Sequence, residues 1–301
     1  MDPKICVLAL NWNGRKHLEY FVPSALELDY NNFEVIVIDN GSTDDSLEFL
    51  NNNFSEVLTL PLKSNMGYSK GFNKGIEYAL DRGAEYLLIT NNDVKLDKNF
   101  LKAGISLFIS QNNIGYMSGK VFQMAYKNRF QYAGGRIGNS SSNFQSRGIN
   151  EIDVGQYEEI EDFEFMDDVC SLVSSKMIKE IGPYDEDFFF DYEETEWNIR
   201  IRNKGYRIVY NPKMKAWHRV HGSTKGNRYS PMPEFYHWRG KILFNYKTLS
   251  NSNFLIGMII IIFLKLPMRF INLIVKQHPT LFLHTIFGML SGFKRIFLLK
   301  Q

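Results

Sequence analysis

The chain has 301 residues and a formal net charge of +2, with 44% hydrophobic and 23% charged residues. That length accommodates one large domain or one domain with an appendage, the composition is typical of a globular protein, and the charge is too small to indicate nucleic acid as a partner. The two cysteines, Cys6 and Cys170, lie in apolar runs, which predicts buried thiols in a reducing compartment rather than a disulfide.

Short apolar runs alternate with helical patterns in the first third of the chain. Strands are predicted at "ICVLAL" (5–10), "FEVIVID" (33–39), "VLTLPL" (57–62) and "AEYLLIT" (84–90), and helices at 17–29, 46–54, 67–83 and 98–110. The first of these helices is expected to be interrupted at Pro23. This alternation predicts an α/β fold with a mostly parallel sheet flanked by helices. No small-residue cleavage site follows the first apolar run, so we expect no signal peptide there.

Polar side chains stand at the ends of three predicted strands, which is where open α/β sheets bind ligands. They are Asn11, Asp39 with Asn40, and Asn91, Asn92 and Asp93. A carboxylate at Asp39 can accept the imide N–H of a uracil or thymine base; the alternative is an aspartate that caps its own turn. Asp93 can hold a hard divalent ion that bridges a diphosphate; the alternative is a plain Asn-Asn-Asp turn.

The segment "NMGYSKGFNKG" surrounds the start of the third predicted helix. It contains Asn65, Gly67, Gly71, Asn73 and Gly75. Glycines allow a backbone to approach a phosphate closely, which indicates a phosphate-binding role. The spacing fits neither a Walker loop nor a Rossmann fingerprint.

The middle of the chain has a weaker pattern. Residues 116–165 are rich in Gly, Ser and Asn, and "GNSSSNF" (138–144) is typical of a mobile loop. Residues 158–168 are acidic, and we expect them to be solvated unless they border an acceptor.

Residues 188–224 combine carboxylates, a helix and two histidines. The carboxylates are Asp191, Glu193, Glu194 and Glu196. They open a helical pattern that ends at Gly205, and the strand-like "YRIVY" then leads to His218 and His221. A candidate base and candidate metal ligands within one segment favour chemistry over packing. The alternatives are that the acids complement the helix dipole and that the histidine is structural.

The last part of the chain is basic and apolar. No Asp or Glu follows Glu234, whereas Lys and Arg recur as far as Lys300. Lys265, Pro267 and Arg269 interrupt the run "FLIGMIIIIFLKLPMRFINLIV", so its uninterrupted core is shorter than the roughly 20 residues that a membrane span needs. We therefore expect interfacial helices with basic anchors on an anionic leaflet. The alternatives are helices that pack on the rest of the chain or in a dimer, and a hairpin that spans the membrane.

Taken together, these motifs resemble the inverting family 2 glycosyltransferases, and most closely the rhamnosyltransferase branch. The matching elements, in order between residues 4 and 224, are "ALNWNG", "EVIVIDNGSTDDS", "NMGYSKGFNKGI", "LLITNNDV" and "IGPYDEDFFFDYEETEWNIRIRNKGYRIVYNPKMKAWH". The joint pattern is specific, although each single motif is not. The resemblance implies a GT-A (Rossmann-like) fold and the transfer of a sugar from a nucleotide diphosphate.

The resemblance also implies roles on the donor side. Asp39 matches the aspartate that reads the base, residues 91–93 match the Asp-x-Asp motif that contacts ribose and metal, and Asn91 replaces its first aspartate. We expect Mn²⁺ or Mg²⁺ to be held by Asp93 and by His218, which matches a metal-ligating histidine. The expected nucleotide-binding residues are Asn11, Asp39, Asn65, Gly67, Asn73, Asn91 and Asn92.

On the acceptor side, Glu194 takes the place of the family's catalytic aspartate. We expect Glu194 to be the general base, with Glu193 and Glu196 beside it as further catalytic residues. Glu194 lies in the first turn of its helix, so the helix dipole should help to keep it ionised at neutral pH.

The predicted function is the transfer, with inversion, of a sugar from a UDP- or dTDP-linked donor to a saccharide acceptor in cell-surface polysaccharide synthesis. We expect a lipid-linked acceptor of the polyprenyl type, a catalytic domain at 1–230, and a helical region at 231–301 that binds the cytoplasmic face of the cell membrane. Two rivals remain. A catalytically inactive module that binds a sugar nucleotide or glycan would lack the carboxylates, and a nucleotidyltransferase would carry a glycine-rich, Arg- or Lys-containing loop where this chain has "NWNGRKH".

Overall fold

A computed structural model of the chain describes residues 2–137, 144–219 and 229–300. His221 and most of the predicted loop 138–144 therefore lie outside the described residues. The strands are β1 (Ile5–Asn11), β2 (Phe33–Asp39), β3 (Leu58–Pro61), β4 (Tyr86–Asn91), β5 (Val94–Leu96), β6 (Ile114–Gln123), β7 (Tyr126–Tyr132), β8 (Gly135–Ile137), β9 (Phe144–Ser146), β10 (Glu161–Asp162), β11 (Cys170–Ser174) and β12 (Arg207–His218). The helices are α1 (Arg15–Leu26), α2 (Ser46–Asn53), α3 (Tyr68–Asp81), α4 (Phe100–Ser110), α5 (Ser175–Ile181), α6 (Glu193–Asn203), α7 (Pro231–Thr248), α8 (Asn251–Ile260), α9 (Leu266–Val275) and α10 (Leu281–Leu299).

The main sheet has the strand order β10-β12-β6-β11-β4-β1-β2-β3. β4, β1, β2 and β3 are parallel to their neighbours within this group, as are β6 and β12. β11 runs antiparallel between β4 and β6. The register pairs Asn11 with Asp39 and Leu10 with Asn91, so the polar strand ends meet at one edge. The predicted α/β fold with flanking helices is confirmed.

The predicted strands exist because their apolar runs are covered on both faces of the sheet. In β1 every residue from Ile5 to Ala9 is fully buried, and β2 and β4 are equally apolar. Such continuous runs are typical of parallel strands between two helical layers. Cys6 and Cys170 are both buried and free, as predicted.

The predicted interruption of the first helix at Pro23 is wrong, because α1 continues to Leu26. A proline inside a helix costs about 3 kcal/mol. Phe21 and Val22, next to it, are fully buried, and burying each large apolar side chain contributes about 1.5–3 kcal/mol. Packing of this face against the sheet therefore outweighs the local preference of the proline.

The prediction that residues 158–168 are solvated holds only for their first half. Glu158 is exposed, but Phe163, Phe165, Met166 and Asp168 are buried. Acidic residues alternate here with apolar ones, and the apolar side chains draw the segment into the core. The stretch "NPKMKAW" (211–217), which follows the strand-like "YRIVY", also belongs to β12, which has a register irregularity between Tyr210 and Lys215.

The apolar run that Lys265, Pro267 and Arg269 interrupt is helical throughout. α8, a π-helical segment at Ile261–Lys265 and α9 form one helix of 25 residues, Asn251–Val275. The wide π turn directly precedes Pro267 and accommodates its ring, so the helix does not end there. By length and composition, this helix and α10 could each cross a membrane. The tail thus contains helices long enough for a span, and their expected position at the membrane surface stays a prediction.

α7 joins these helices to the rest of the molecule. A second apolar core contains Phe188, Tyr192, Trp238, Ile242 and Phe244. Within the tail, the buried carboxylate of Glu234 accepts hydrogen bonds from Trp238 (3.0 Å), Thr285 (2.5 Å) and Arg269 (3.0 Å to Nε). Because these partners lie on α7, α10 and α9, this one carboxylate ties three helices together.

Candidate active site

The ends of β1, β2 and β4 form what we call the donor edge. Asn11 Nδ2 donates to Asp39 Oδ1 at 3.1 Å, and Asn11 Oδ1 accepts from Asn92 Nδ2 at 2.7 Å. The backbone N–H of Ser42 donates to Asp39 Oδ2 at 3.0 Å. The predicted residues Asn11, Asp39 and Asn92 are thus brought together, with Asp39 buried and oriented by both neighbours. Trp12, which the sequence analysis did not single out, follows β1 directly and is 46% exposed.

The loop before α3 is fixed by amide side chains. Asn40 donates to Asn65 Oδ1 and to the carbonyl of Gly67, both at 3.1 Å, and Asn65 Oδ1 accepts from the Gly67 N–H at 2.9 Å. Gly67 has φ +83°, and a Cβ there would stand 2.6 Å from the Phe189 ring. The close approach made by this glycine is therefore to Phe189, in the segment that leads to α6.

Asn73 has a different position from the other predicted nucleotide-binding residues. Its Nδ2 donates to the carbonyl of Tyr184 at 2.9 Å, and its Oδ1 accepts from the Tyr184 N–H at 3.1 Å. Both side-chain polar atoms are therefore engaged with the backbone of the segment that precedes α6. Asn73 joins α3 to that segment, which is a positioning role that no local pattern reveals.

Asp93 and His218 are neighbours, as the resemblance implies. His218 Nε2 lies 2.9 Å from Asp93 Oδ1, and His218 Nδ1 lies 2.7 Å from Gln131 Oε1. With the proton on Nδ1, shared with Gln131, Nε2 presents a lone pair towards the buried carboxylate. Apart from this contact with His218 Nε2, neither Asp93 oxygen has a hydrogen-bond partner among the described residues. Two electron-pair donors that face each other in a buried site suit a cation.

A metal at this point would need ligands from elsewhere. The described ranges contain no group of three or more His, Cys, Asp and Glu side chains that could hold an ion. Mg²⁺ and Mn²⁺ often take one or two protein ligands and complete their shells with phosphate oxygens and water. The residues therefore fit an ion that binds together with a diphosphate. Gln131, which no sequence pattern marks, orients the histidine from β7.

On the other side of the site, five carboxyl groups are close enough to influence one another; we call them the acid cluster. They are Asp167, Asp168, Asp191, Glu193 and Glu194. Burial, then the charge of Asp167, raises the pKa of Asp168 to about 7. Burial and Asp168 raise the pKa of Glu193, and burial and Glu193 raise that of Glu194, both well above the usual range. Burial and like charges therefore oppose the expected effect of the helix dipole on Glu194.

The members of the acid cluster differ in exposure. Glu193 and Asp168 are buried, whereas Glu194 is partly exposed and can reach a substrate. Tyr184 donates to Asp168 Oδ2 at 2.7 Å. Asn198 donates to the carbonyl of Glu194 at 2.6 Å. Asp167 and Asp191 are partly exposed as well, so exposure sets apart only the buried Glu193 and Asp168.

Glu196 does not join the acid cluster. Both of its oxygens accept from Arg200 Nε, at 2.7 and 3.0 Å. Arg200 also donates to the carbonyls of Ile181 and Pro183, at 2.8 and 2.7 Å. Glu196 therefore anchors an arginine that fixes the turn after α5, and the structure gives it a structural partner in place of the expected neighbour Glu194.

The entry into α6 is strained. Asp191 and Tyr192 both have φ in the left-handed region, at +73° and +74°, a conformation that costs about 1–3 kcal/mol for residues other than glycine. His237 Nδ1 of α7 lies 2.5 Å from Asp191 Oδ2. A Cβ on Gly240 would lie only 3.0 Å from the Asp191 carbonyl. α7 therefore packs directly on the turn that sets the direction of Glu193 and Glu194.

Comparison with known proteins agrees with this geometry. A model of glycosyl transferase family 2 matches residues 5–168, which is more than half of the chain. The fold is that of the GT-A glycosyltransferases, and the chain belongs to glycosyl transferase family 2. The solved structure of GalNAc-T7 with UDP, GalNAc and Mn²⁺ superposes with a TM-score of 0.62 at 14% identity, over 80% of this chain and 48% of that one.

Curated relatives confirm the rhamnosyltransferase-like branch. The dTDP-rhamnosyl transferase RfbF of Shigella flexneri is 28% identical over 199 residues, which is 64% of this chain and 62% of that protein. The N-acetylglucosaminyl-diphospho-decaprenol L-rhamnosyltransferase of Mycobacterium tuberculosis is 24% identical over 243 residues, covering 74% of this chain and 78% of that one. The chain thus spans less than two thirds of the length of the first of these relatives.

Proposed function

We propose that this protein transfers a sugar from a UDP- or dTDP-linked donor to a saccharide acceptor, with inversion at the anomeric carbon. The observation that carries the proposal is the continuity of the site. The hydrogen-bonded chain Asp39–Asn11–Asn92 leads directly to Asp93 and His218. The loop at Gly67 then contacts Phe189, in the segment before the acid cluster.

The donor side supports nucleotide binding. Asp39 is buried with its carboxylate held by Asn11 and Ser42, so it can accept the imide N–H of uracil or thymine without reorganising. The exposed ring of Trp12 beside it offers an aromatic surface on which a base or sugar can stack. The name of the Shigella relative specifies a dTDP-linked donor, and the GalNAc-T7 structure was solved with UDP.

A divalent ion, Mn²⁺ or Mg²⁺, would be held by Asp93 and His218. The buried Asp93 carboxylate has no partner among the described residues other than His218, and GalNAc-T7 was solved with Mn²⁺. When bound, such an ion offsets the negative charge that grows on the departing diphosphate. Gln131 keeps the histidine in the tautomer that presents Nε2 to the site.

Glu194 is the proposed base. Its carboxylate takes the proton of the acceptor hydroxyl while that oxygen bonds to the anomeric carbon and the bond to the diphosphate oxygen breaks on the opposite face. A base works best when its pKa lies near the working pH, and burial with neighbouring carboxylates raises that of Glu194. Glu193, buried beside it, tunes this pKa and is the second catalytic candidate.

The C-terminal helices supply the membrane contact in this proposal. Large apolar side chains of the long helix Asn251–Val275 and of α10 are exposed, among them Ile259, Phe263 and Phe287. Exposed apolar area on this scale is unusual in a soluble monomer. We place the protein on the cytoplasmic face of the cell membrane, with a lipid-linked acceptor of the kind that the name of the mycobacterial relative specifies. The division into a catalytic part, 1–230, and a membrane-associating part, 231–301, belongs to this proposal, with α7 packed on the catalytic part.

The test is a panel of UDP- and dTDP-sugars incubated with the full chain, with Mn²⁺ or with a chelator. We expect slow hydrolysis of one donor that requires the metal, and faster turnover when a saccharide acceptor is added. Metal-dependent binding without turnover of any donor would indicate an inactive binding module. Release of diphosphate from a nucleoside triphosphate would indicate a nucleotidyltransferase.

A further inference from the structure

The cations of the tail differ in whether they have partners. Lys247 forms ion pairs with Asp185 (2.6 Å) and Asp187 (2.8 Å), and Arg295 binds Asp187 at 2.6 Å. Arg269 binds Glu234. Lys241, on the same helix α7, has no hydrogen bond or ion pair within the described ranges, although its side chain is only partly exposed.

The surroundings of Lys241 are cationic and apolar. Its ammonium lies 5.0 Å from the centre of the Trp238 ring. Burial, then the charges of Lys265 and Arg269, lowers the pKa of Lys241 to about 8, with Asp191 acting in the opposite direction. That aspartate is already paired with His237, one helical turn before Lys241. A partly buried cation beside other cations is unfavourable unless an anion joins it.

The position of Lys241 indicates which kind of anion it can bind. On one side, His237 contacts Asp191, at the entry to the helix that carries Glu194. On the other side, Lys265 stands on the long apolar helix, directly after the exposed Phe263 and Leu264. The protein thus presents, in order, a candidate base, cationic side chains and an apolar surface. A lipid-linked saccharide presents the matching order of sugar hydroxyl, phosphate and hydrocarbon chain.

We propose that Lys241 and Lys265 bind the phosphate or diphosphate group that links an acceptor saccharide to its lipid. This rests on the proposed function, because it assigns the acceptor side of the same site. An ordinary phospholipid headgroup offers similar chemistry. The place of Lys241 between the acid cluster and the tail, and its partial burial, favour the acceptor over a headgroup that meets the outer rim of the helices.

The probe is farnesyl diphosphate, with farnesol as the uncharged match, titrated calorimetrically into the full chain in neutral detergent without donor. Lys241→Met removes the charge and keeps the stem, and Lys276→Met is the matched control because Lys276 is an exposed lysine of the same tail. A hydrogen-bonded charge pair contributes enough for about a tenfold or greater loss of affinity. We expect that loss for Lys241→Met, near-parental binding for Lys276→Met and Lys241→Arg, and unchanged farnesol binding in all variants.

Vesicles of phosphatidylglycerol distinguish the two phosphate sources. Equal, small losses of vesicle binding in the two Met variants support the proposal. Selective loss of vesicle binding in Lys241→Met, with farnesyl diphosphate affinity retained, assigns the site to a headgroup and overturns it. Parental diphosphate affinity in Lys241→Met, or an equal loss in Lys276→Met, also overturns it.

Thermal unfolding checks that each variant is folded, and Lys241→Gln replaces the Met variant if that one is not. Because these titrations contain no donor, their result does not depend on whether the protein catalyses sugar transfer. Failure of the donor panel would refute the transferase proposal alone, and failure of the titrations would refute the phosphate site alone.

Discussion

The donor edge and the acid cluster differ in how their polar groups are satisfied. At the donor edge, Asn11, Asp39 and Asn92 form hydrogen bonds with one another, so these side chains are already oriented before any ligand binds. In the acid cluster, Glu193 and Glu194 meet mainly other carboxyl groups. The apolar tail continues the second pattern, because many of its large apolar side chains are exposed.

This difference indicates which region of the molecule should respond to a bound ligand. A satisfied polar network is rigid and binds without reorganisation, whereas like charges and exposed apolar surface respond to whatever joins them. We therefore expect substitutions at the donor edge to change affinity, and those on the acceptor side to change catalysis, pH dependence and membrane binding. Asp93 is the exception at the donor edge, since its carboxylate lacks donors there.

The largest effect is expected from Glu194→Gln, which keeps the shape and removes the base. Loss of a general base lowers the rate about 100- to 10,000-fold, while donor affinity should change little because the base faces the acceptor. Transfer rate and donor affinity are measured side by side. Glu196→Gln is the matched control: its partner is Arg200, so it should lose stability more than rate. Normal turnover in Glu194→Gln, with collapse in Glu193→Gln, would move the base to Glu193.

Membrane binding is the next largest effect. Ile259 and Phe263 are 57% and 76% exposed, and burial of each in a bilayer contributes about 1.5–3 kcal/mol. The partition coefficient of the double variant Ile259→Gln/Phe263→Gln into anionic vesicles should therefore be lower than that of the parent by about a hundredfold or more. Flotation measures it, and salt should weaken parental binding only in part. The control is Ile109→Gln, because Ile109 is 66% exposed but lies on a helix of the catalytic part. This variant should float with vesicles like the parent. If the double variant also floats like the parent, the tail is not the surface that binds the membrane.

Asp93 and His218, the proposed metal ligands, allow a test of the donor edge with a smaller expected effect. Asp93→Asn should abolish the Mn²⁺ dependence of donor binding. Gln131→Met, which removes only the support of His218, should weaken Mn²⁺ about 10- to 100-fold, as expected for a residue that orients a ligand. Calorimetric titration of Mn²⁺ in the presence of UDP or dTDP measures both, with the exposed Asp45→Asn as control. Parental Mn²⁺ affinity in Asp93→Asn would exclude this site.

The smallest effect is on stability. The pKa of Asp168 is raised to about 7 in the folded chain, against about 3.9 when unfolded. The folded state then holds the extra proton between these values, so the free energy of unfolding falls as pH rises from about 4 to about 7. The melting temperature should drop by a few degrees over that range, and Asp168→Asn should reduce the drop. An unchanged profile in Asp168→Asn would show that other groups cause it.

The sequence predicted the donor edge well because its signals are local. Parallel strands buried on both faces are continuous apolar runs, and the polar residues at their ends can be read directly. The helix that carries Glu194 was likewise marked by its acidic start and by Gly205. These features depend on neighbours in the chain and need no knowledge of distant contacts.

The remaining features depend on residues far apart in sequence. Asn73 binds the backbone of Tyr184, and Asp168 accepts from the Tyr184 hydroxyl; no spacing rule connects them. The helix dipole contributes at most about 1 kcal/mol, and burial among carboxylates outweighs it at Glu194. Pro23 and Pro267 follow the same logic, because packing and a π turn override a local helix-breaking preference.

Two glycines of α10 have a consequence for which acceptors can react. A Cβ on Gly288 would lie 2.2 Å from the Phe235 carbonyl, and one on Gly292 would lie 3.1 Å from the Arg239 carbonyl. The backbones of α10 and α7 are therefore in direct contact, and α7 in turn holds the turn before Glu194 through His237. If the apolar tail rests on a bilayer, this packing sets the height of the base above it. In that case, an acceptor that is one sugar longer or shorter would present its hydroxyl at a different distance from the membrane than Glu194.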